Sequence, residues 1–307
     1  MSRSDNSLVG YLLLLLTTCA MQSESAQHNP IYFCTAADSR YYWQALNLIG
    51  SIQKLHFKEL GEIAVYNLGL TDEQRSTLNR IQKVKVYEVE KTNPDIITPF
   101  VTDSGGRRVP GWFAWKPVII KQSLDRFPHV LYMDAGHVVL RPLHKLFEYI
   151  NYHGYFMCDC GFMLKPRLTK FVIQAFNLES GARRWIYEQG ISIDASKLGF
   201  SRDSFVYKEF VLQAYELSKN LHYFEDDGSA EMGFGQARHD QTVLSIYALL
   251  LHLDILSLKS PTHLKLQDEI YDLCMTWRPD CLSSDTHIYH CRLGWAPDFT
   301  GDIVWNK

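Results

Sequence analysis

Residues 112–147 read WFAWKPVIIKQSLDRFPHVLYMDAGHVVLRPLHKLF, and this stretch decides the fold class. Residues 112–126 have the pattern of a helix, and the run HVLYM at 129–133 is typical of a strand that is buried on both faces. A buried strand next to a helix indicates a sheet that is covered by helices. The strand runs directly into Asp134-Ala135-Gly136, which places a carboxylate at its carboxyl end.

The same alternation continues on both sides of this stretch. Strand patterns lie at 31–34, 63–66, 84–89 and 138–140. Helix patterns lie at 41–57 and 142–151, and a capping box that begins at Thr71 predicts a further short helix. Segment 93–111 contains three prolines and predicts a long polar loop. Repeated strand–helix units predict an α/β fold in which a mostly parallel central sheet is flanked by helices, as a single domain over residues 30–300.

The predicted sheet also indicates where a ligand binds. Ligands of open parallel sheets lie beyond the carboxyl ends of the strands. The first strand runs into Ala36 and Asp38, and the fourth runs into Asp134. Because crossovers are right-handed, we expect these strand ends to line one crevice. The sequence lacks a G-x-G-x-x-G fingerprint and a phosphate-binding G-x-x-x-x-G-K-[ST] loop, so the motifs of two common nucleotide sites are missing.

The second half of the chain is less regular. Helix patterns lie at 171–176, 204–217 and 242–251, and residues 191–200 predict a strand followed by a turn. An acidic, glycine-rich loop at 225–235 precedes the last helix. The remaining tail is rich in aromatic residues and shows few periodic runs.

Composition excludes several classes of protein. The chain has 307 residues, of which 46% are hydrophobic and 21% charged, so it is not disordered, collagenous or a coiled coil. Its net charge of −3 and its lack of a basic run argue against binding nucleic acid by phosphate neutralisation. Nucleic acid is therefore not expected as a partner.

The first 26 residues predict a targeting segment. The apolar run at 8–21 is shorter than the roughly 20 residues that span a membrane, and it fits a signal peptide better. A short signal anchor, or a lipobox ending at Cys19, are the alternatives; only such an uncleaved segment would contact a membrane. Removal of the segment leaves six cysteines, for which export allows disulfides, and Cys274 and Cys281 are the easiest pair.

Several motifs in sequence order resemble the GT-A nucleotide-sugar glycosyltransferases, in particular the glycogenin-like group. YFCTAADSRYYWQALNLIGSIQK at 32–54 resembles the opening of that group, and residues 112–147 resemble its central Asp-x-Asp signature. SIDASKLGFSRDS at 192–204 is similar to its Asn-Ala-Gly segment, ARHDQTVLSIYAL at 237–249 to its Asp-Gln helix, and HIYHCRLGW at 287–295 to its metal-binding histidine segment.

The resemblance implies a GT-A, Rossmann-like fold and a hexosyltransferase-type enzyme that moves a sugar from a nucleotide-diphosphate donor, expected to be a UDP-sugar, to a carbohydrate or other hydroxyl acceptor. It implies an Mn²⁺ or Mg²⁺ ion held by Asp134 and His290, with Asp134 the most important residue for activity. Asp240 would take the acceptor proton if the enzyme inverts. Donor contacts are implied for five residues: Ala36, Asp38, Tyr41, Lys116 and Gly136. A sugar-nucleotide supply favours the endomembrane lumen of the secretory pathway.

Structural alternatives stay open for most of these residues. Asp38 and Asp240 could each cap the helix that follows, Tyr41 could belong to the core, Lys116 could be solvated, and His290 could simply be packed.

The sequence also departs from the family pattern. Gly136 stands where the second acid of Asp-x-Asp is expected, and Asp194-Ala195-Ser196 stands where Asn-Ala-Gly is expected. Basic groups such as Lys116 and His137 could take over part of the metal's role. A catalytically silent relative that binds glycans or proteins is therefore one alternative function, and a glycosidase with paired carboxylates is another.

Overall fold

A six-stranded sheet forms the centre of the molecule. The computed structural model describes residues 29–258, 261–291 and 296–306. Numbered along the chain, the strands are β1 Ile31–Ala37, β2 Leu60–Asn67, β3 Val84–Glu88, β4 Pro99–Val101, β5 Arg108–Pro110, β6 His129–Met133, β7 His137–Val139, β8 Tyr155–Phe156, β9 Asp159–Met163, β10 Ile191–Ile193, β11 Lys197–Ser201, β12 Thr262–Leu266, β13 Glu269–Thr276 and β14 Thr286–His290.

The α-helices are α1 Tyr42–His56, α2 Asp72–Asn79, α3 Trp115–Leu124, α4 His144–His153, α5 Lys170–Ala175, α6 Arg184–Gln189, α7 Leu212–Leu217 and α8 His239–Leu250. Short 3₁₀ turns and one π-helical segment, Tyr207–Val211, lie between them. Thr71 and Gln74 form the predicted capping box of α2, so that prediction is confirmed.

The central sheet has the strand order β3-β2-β1-β6-β11-β8. The first four strands are parallel, and β11 runs antiparallel to both β6 and β8. Both faces of this sheet are buried, because successive residues of β6 enter different cores: Val130 and Tyr132 on one side, Leu131 and Met133 on the other. The predicted α/β fold with a mostly parallel sheet is confirmed, and Ile31–Lys307 form one compact unit.

A second sheet has the order β12-β13-β14-β7. It carries β7, which directly follows the Asp134-Ala135-Gly136 turn, and pairs it with β14 in a register that sets His137 opposite His290. The tail of the sequence shows few periodic runs, yet it contains β12, β13 and β14.

The helix predicted at 204–217 is confirmed: residues 205–217 are helical throughout, with the π-helical segment Tyr207–Val211 leading into α7. Two further expectations need correction. Segment 93–111 is not a plain loop, because β4 and β5 form an antiparallel hairpin within it. The predicted strand and turn at 191–200 are two strands, β10 and β11, separated by Asp194-Ala195-Ser196.

The expected disulfides are absent from the described residues. All six cysteines there, including Cys274 and Cys281, are free thiols. Cys34 and Cys158 are fully buried, and burial raises the pKa of each thiol to about 12, so both behave as small apolar core residues.

The predicted targeting segment lies outside the described residues. Within the described part of the chain, none of the helices has the length and apolar character needed to cross a bilayer.

Candidate functional site

A cleft of about 600 Å³ opens at the carboxyl ends of β1 and β6. These two strands are parallel neighbours, with Phe33 opposite Leu131 and Cys34 opposite Tyr132. Their ends therefore meet at one edge of the sheet, as the sequence predicts. All eight predicted site residues line this cleft: Ala36, Asp38, Tyr41, Lys116, Asp134, Gly136, Asp240 and His290.

A buried lysine joins two aspartates at the floor of the cleft. The Nζ atom of Lys116, in the first turn of α3, lies 2.7 Å from Oδ2 of Asp240 and 3.4 Å from Oδ1 of Asp134. Nζ also donates a 2.8 Å hydrogen bond to the backbone carbonyl of Ala195. The Lys116 side chain is only 4% exposed, so the solvated alternative for this residue is wrong. We call Lys116, Asp134 and Asp240 the charge centre.

Opposing effects set the protonation of the charge centre. Burial would lower the pKa of Lys116, but the carboxylates of Asp134 and Asp240 outweigh burial and raise it. Burial raises the pKa of the Asp240 carboxyl, although Lys116 acts against this rise. Lys116 is therefore charged, and one ammonium faces two carboxylates. The centre keeps about one uncompensated negative charge when both carboxylates are ionised.

Asp134 has a further contact on its own strand. The Tyr132 hydroxyl donates a short hydrogen bond to Oδ1 of Asp134, because residues two apart on a strand point to the same face. Burial, together with the neighbouring Asp134, raises the pKa of Tyr132 far above its usual range, so the phenol stays protonated and remains a donor. The Asp134 side chain is 34% exposed, and it is the more accessible of the two carboxylates.

The Asp194-Ala195-Ser196 turn lines the cleft beside the charge centre, and the Ser196 carbonyl accepts the N–H of Asp134 at 2.8 Å. The Asp194 carboxylate receives a 2.5 Å ion pair from Lys197 and a 2.5 Å hydrogen bond from the Ser196 hydroxyl. Burial alone would raise the pKa of Asp194, but these partners hold it far below its usual range. Asp194 is therefore a fixed anion whose bonding capacity is used to shape the turn. This turn in turn presents the Ala195 carbonyl to Lys116.

Two histidines stack beside Gly136. The rings of His137 and His290 lie 4.2 Å apart and nearly parallel. Nδ1 of His137 donates to the carbonyl of Asp134 at 3.0 Å, which leaves Nε2 as the acceptor. Burial and the neighbouring His290 hold the pKa of His137 well below its usual range. A side chain at Gly136 would begin 3.5 Å from His290, an ordinary contact distance. The glycine is thus not required by crowding, and the space that it leaves belongs to the cleft.

Asp38 and Tyr41 lie at the other end of the cleft. Oδ1 of Asp38 accepts from the backbone N–H groups of Arg40 and Tyr41, and Oδ2 receives the Arg40 guanidinium at 2.6 Å. These bonds shape the turn before α1. The N-cap of that helix is Tyr41, with no side-chain capping bond, so Asp38 does not cap it. Tyr41 is 42% exposed and lines the cleft, which excludes the core-packing alternative and leaves its ring available for stacking.

Two arginines that sequence reasoning missed complete the cleft. Arg107 extends from the β4–β5 hairpin, and Arg238 precedes α8. The Arg107 guanidinium makes no hydrogen bond or ion pair within the described ranges. The Gly-Gly-Arg-Arg run at 105–108 and the proximity of Arg238 to Asp240 in sequence were the available signals. These cations make the wall near the hairpin attractive to anions, whereas the charge centre attracts cations.

Left-handed backbone conformations concentrate around this site. Trp112, Phe113 and His239 have φ values of 45°, 64° and 47°, and non-glycine residues seldom adopt such values. Nδ1 of His239 donates to the carbonyl of Phe224 at 2.7 Å, and burial lowers the pKa of this imidazole to about 4. α8 begins at His239, so Asp240 lies inside its first turn and points to Lys116. Asp240 therefore does not cap the helix.

A divalent cation would find two protein ligands here. Asp134 is half-buried and His290 lines the same cleft, so both could contribute to such a site, whereas the Asp240 and Asp194 side chains are buried against lysines. Mg²⁺ is commonly held by one or two carboxylates together with substrate phosphates, so the donor set fits a metal that enters with its nucleotide. In the described residues a tighter group exists elsewhere, at His56, Glu59 and His144. There, Nε2 of His56 accepts the N–H of Leu143, and Nδ1 donates a hydrogen bond to the Glu59 carboxylate. Both ring nitrogens are therefore in use, and this histidine has no lone pair for a metal.

No family model and no curated protein sequence matches this chain. The solved structures to which it is similar include glycosyltransferases. One is the galactosyltransferase LgtC with donor and acceptor sugar analogues, at 14% identity and a TM-score of 0.42, with 70% of each chain covered. Another is mouse xyloside xylosyltransferase 1, at 14% identity and a TM-score of 0.46, with 87% of this chain and 98% of that chain covered.

A third is the mannosyltransferase Ktr4p of S. cerevisiae in complex with GDP. Its identity is 12% and its TM-score 0.45, with 73% of this chain and 67% of that chain covered.

Proposed function

We propose that this protein is a glycosyltransferase of the hexosyltransferase type, which transfers a sugar from a nucleotide-diphosphate donor to a hydroxyl acceptor. The charge centre carries the proposal. It places Asp134, Lys116 and Asp240 at the carboxyl end of β6, in a cleft whose volume of about 600 Å³ suits a ligand of nucleotide-sugar size. Only the family resemblance of the sequence motifs predicted that Asp134, Lys116 and Asp240 would share one site.

The two ends of the cleft suit the two ends of such a donor. Tyr41 offers an exposed ring for a nucleobase near β1, and Asp38 lies beside it. The diphosphate would lie towards Gly136, where the absence of a side chain leaves room. Arg107 and Arg238, which line the same cleft, would attract its negative charge. A nucleoside diphosphate is a poor leaving group until its developing charge is neutralised, and preorganised cations supply that neutralisation. A UDP-sugar is the donor that we propose.

Asp134 and His290 are the residues that would hold Mn²⁺ or Mg²⁺ in this proposal. The bound ion would supply positive charge to the diphosphate during bond cleavage. Lys116 holds the side chains of Asp134 and Asp240 in place, while the Tyr132 hydroxyl orients the Asp134 carboxylate. These contacts fix the three side chains of the charge centre in one arrangement.

Asp240 is our candidate for receiving the proton of the acceptor hydroxyl if the reaction inverts the sugar. Its contact with an ammonium weakens it as a base, whereas burial raises its pKa and strengthens it. If the reaction retains the configuration, the leaving diphosphate oxygen can take that proton and Asp240 then acts only to position Lys116.

The geometry disfavours the glycosidase alternative. A glycosidase needs a protonated carboxylic acid and a carboxylate on opposite sides of a glycosidic bond. Here a single ammonium lies between Asp134 and Asp240 and contacts both. The space between the carboxylates is therefore filled by Lys116 and cannot hold a sugar. The alternative of a catalytically silent protein that binds glycans or proteins is still supported by Gly136, which stands where the second acid of Asp-x-Asp is expected.

A thermal-shift panel with UDP, GDP and CMP, each with and without Mn²⁺, tests the proposal. A ligand at 100 times its Kd stabilises the folded state by about 2.7 kcal/mol, which this assay resolves. We expect UDP with Mn²⁺ to give the largest shift and hydrolysis of a UDP-sugar to follow. Stabilisation by free glycans with no nucleotide effect would favour the silent alternative instead.

We also propose that the chain works in the lumen of the secretory pathway. The support is the apolar run at 8–21 after Arg3, together with the need for a sugar-nucleotide supply. Sequencing the amino terminus of the protein purified from its natural source tests this, since an intact Met1 on a cytosolic protein would contradict it.

A further inference from the structure

The carboxylate of Asp38 is fully used by contacts within the chain. Oδ1 accepts the backbone N–H groups of Arg40 at 2.9 Å and of Tyr41 at 3.2 Å. Oδ2 accepts from Nε and Nη2 of Arg40 at 2.9 Å and 2.6 Å. A carboxylate offers about four positions for hydrogen bonds, so these four bonds leave none for a ligand. The Asp38 side chain is also only 12% exposed, and a nucleobase could bond to it only by displacing Arg40.

Arg40 has the opposite character, because it still has donors to offer. A guanidinium group carries five N–H groups. Nε and Nη2 of Arg40 each use one for Asp38, and Nη1 uses one for the backbone carbonyl of Arg108 at 3.1 Å. Among the residues that the structure describes, no partner takes the other two. The Arg40 side chain is 52% exposed and lines the cleft, so these two N–H groups can reach a ligand.

Two anchors fix the position of the Arg40 guanidinium. Asp38, directly after β1, contacts one side of the group, and the Arg108 carbonyl on β5, 68 residues away in the chain, contacts it again. An exposed long side chain loses conformational entropy when it binds a ligand, and a group that is already held loses less. The two anchors therefore distinguish Arg40 from an arginine that is simply solvated.

The Arg40 guanidinium lies next to the ring on which we place the nucleobase. Its Cζ atom is 6.0 Å from the centre of the Tyr41 ring, and Tyr41 lines the same cleft. A base in offset stacking on Tyr41 would have one edge beside this guanidinium. The proposed diphosphate position, towards Gly136, is at the other end of the cleft. The edge of the base that faces away from the ribose is therefore the edge that meets Arg40.

We propose that Arg40 selects the base of the donor by donating a hydrogen bond to a carbonyl oxygen on this ribose-distal edge, while Asp38 positions Arg40. The inference rests on the proposed glycosyltransferase activity. Uracil carries a carbonyl oxygen at C4 of that edge, whereas cytosine carries an amino group there, which is a donor. An amino group facing Arg40 sets two donors against each other, and a hydrogen bond to a charged group is lost. Arg40 therefore favours uridine over cytidine nucleotides.

Calorimetric binding of UDP and of CDP to the full-length protein, each with Mn²⁺, tests the proposal. The wild type should bind UDP at least about tenfold more tightly than CDP, the scale of one hydrogen bond to a charged group. Arg40→Met removes the donors and keeps an unbranched stem, and the ratio of the two Kd values should fall to about one. Arg75→Met is the matched control, because Arg75 also pairs with a nearby aspartate, Asp72, but does not line the cleft. Its ratio should equal that of the wild type.

The ratio separates reading of the base from general attraction of anions, since loss of a cation alone would weaken UDP and CDP equally. Equal binding of UDP and CDP by the wild type would overturn the proposal. An unchanged ratio in Arg40→Met would also overturn it, and so would a higher ratio, which would mean that Asp38 accepts the uracil N3–H directly once Arg40 is gone. If neither nucleotide binds, the proposed function fails together with this inference. Binding of both nucleotides with an unchanged ratio removes only the role of Arg40.

Discussion

Replacing Lys116 with methionine tests the charge centre directly. The substitution keeps a long unbranched stem and removes the ammonium, so it leaves Asp240, whose side chain is 7% exposed, without its 2.7 Å partner. It also removes the donor to the Ala195 carbonyl. Breaking a buried ion pair by removing one partner costs about 3–5 kcal/mol, because the remaining charge is buried and uncompensated. At roughly 2–4 °C per kcal/mol for a chain of this size, we expect Tm to fall by about 10 °C.

A matched control lies one turn further along the same helix. Lys121 forms an exposed i,i+4 pair with Asp125 at 2.8 Å, and such surface pairs contribute at most about 1 kcal/mol. Lys121→Met should therefore be nearly neutral in urea unfolding, which measures both variants on one scale. The double variant Lys116→Met with Asp240→Asn should recover part of the loss, since it removes the orphaned charge.

The pH dependence of the stability lost in Lys116→Met is an independent test of the same contact. Without Lys116, burial raises the folded-state pKa of Asp240 further above its unfolded value. A carboxyl with a raised folded pKa binds its proton more tightly in the folded state, so Lys116→Met should lose less stability at pH 5 than at pH 7. A loss below about 1 kcal/mol at pH 7, or a deficit that grows on acidification, would refute the role assigned to Lys116.

Three further outcomes are expected. Asp134→Ala should lower the rate of UDP-sugar turnover by at least about a hundredfold, as measured by donor hydrolysis, and should lower Tm by less than Lys116→Met does; equal rates would remove Asp134 from the site. Gly136→Asp supplies a second carboxylate beside His290, where there is space for it, and should tighten Mn²⁺ binding in the presence of UDP about tenfold by calorimetry. Lowering the pH from 7 to 4 should destabilise the fold, because burial lowers the pKa of His56 and the hydrogen bonds of Glu59 outweigh burial and lower its pKa too; His56→Gln should show a shallower decline in urea midpoint, and a steeper one would contradict this.

Local patterns were sufficient to predict the central part of the fold. The strand HVLYM was located correctly because every residue of it is buried, and Asp134 follows it at the cleft as predicted. The hairpin of β4 and β5 was missed because each strand has only three residues and includes a proline, Pro99 or Pro110. β12 does alternate buried and exposed residues along its first four positions, but five residues gave too short a signal.

Long-range pairing accounts for what the sequence could not reveal about the site. The Lys116 side chain gave no sign of its burial, since its partners Ala195 and Asp240 lie far along the chain. Disulfides were expected from an even cysteine count alone, which does not bring two sulfur atoms together. The role of Gly136 as open space, rather than as a required glycine, also depends on where His290 lies.

The bond from Lys116 to Ala195, which joins residues 79 positions apart, has a consequence for synthesis of the protein. A nascent chain that has emerged only as far as β6 holds Lys116 and Asp134, but neither the Ala195 carbonyl nor Asp240 is yet available. The charge centre therefore cannot be complete before α8 has emerged from the ribosome. A nucleotide that binds the cleft would act as a reporter of completed folding, and in the cell it would protect finished molecules from quality-control degradation in preference to incomplete ones.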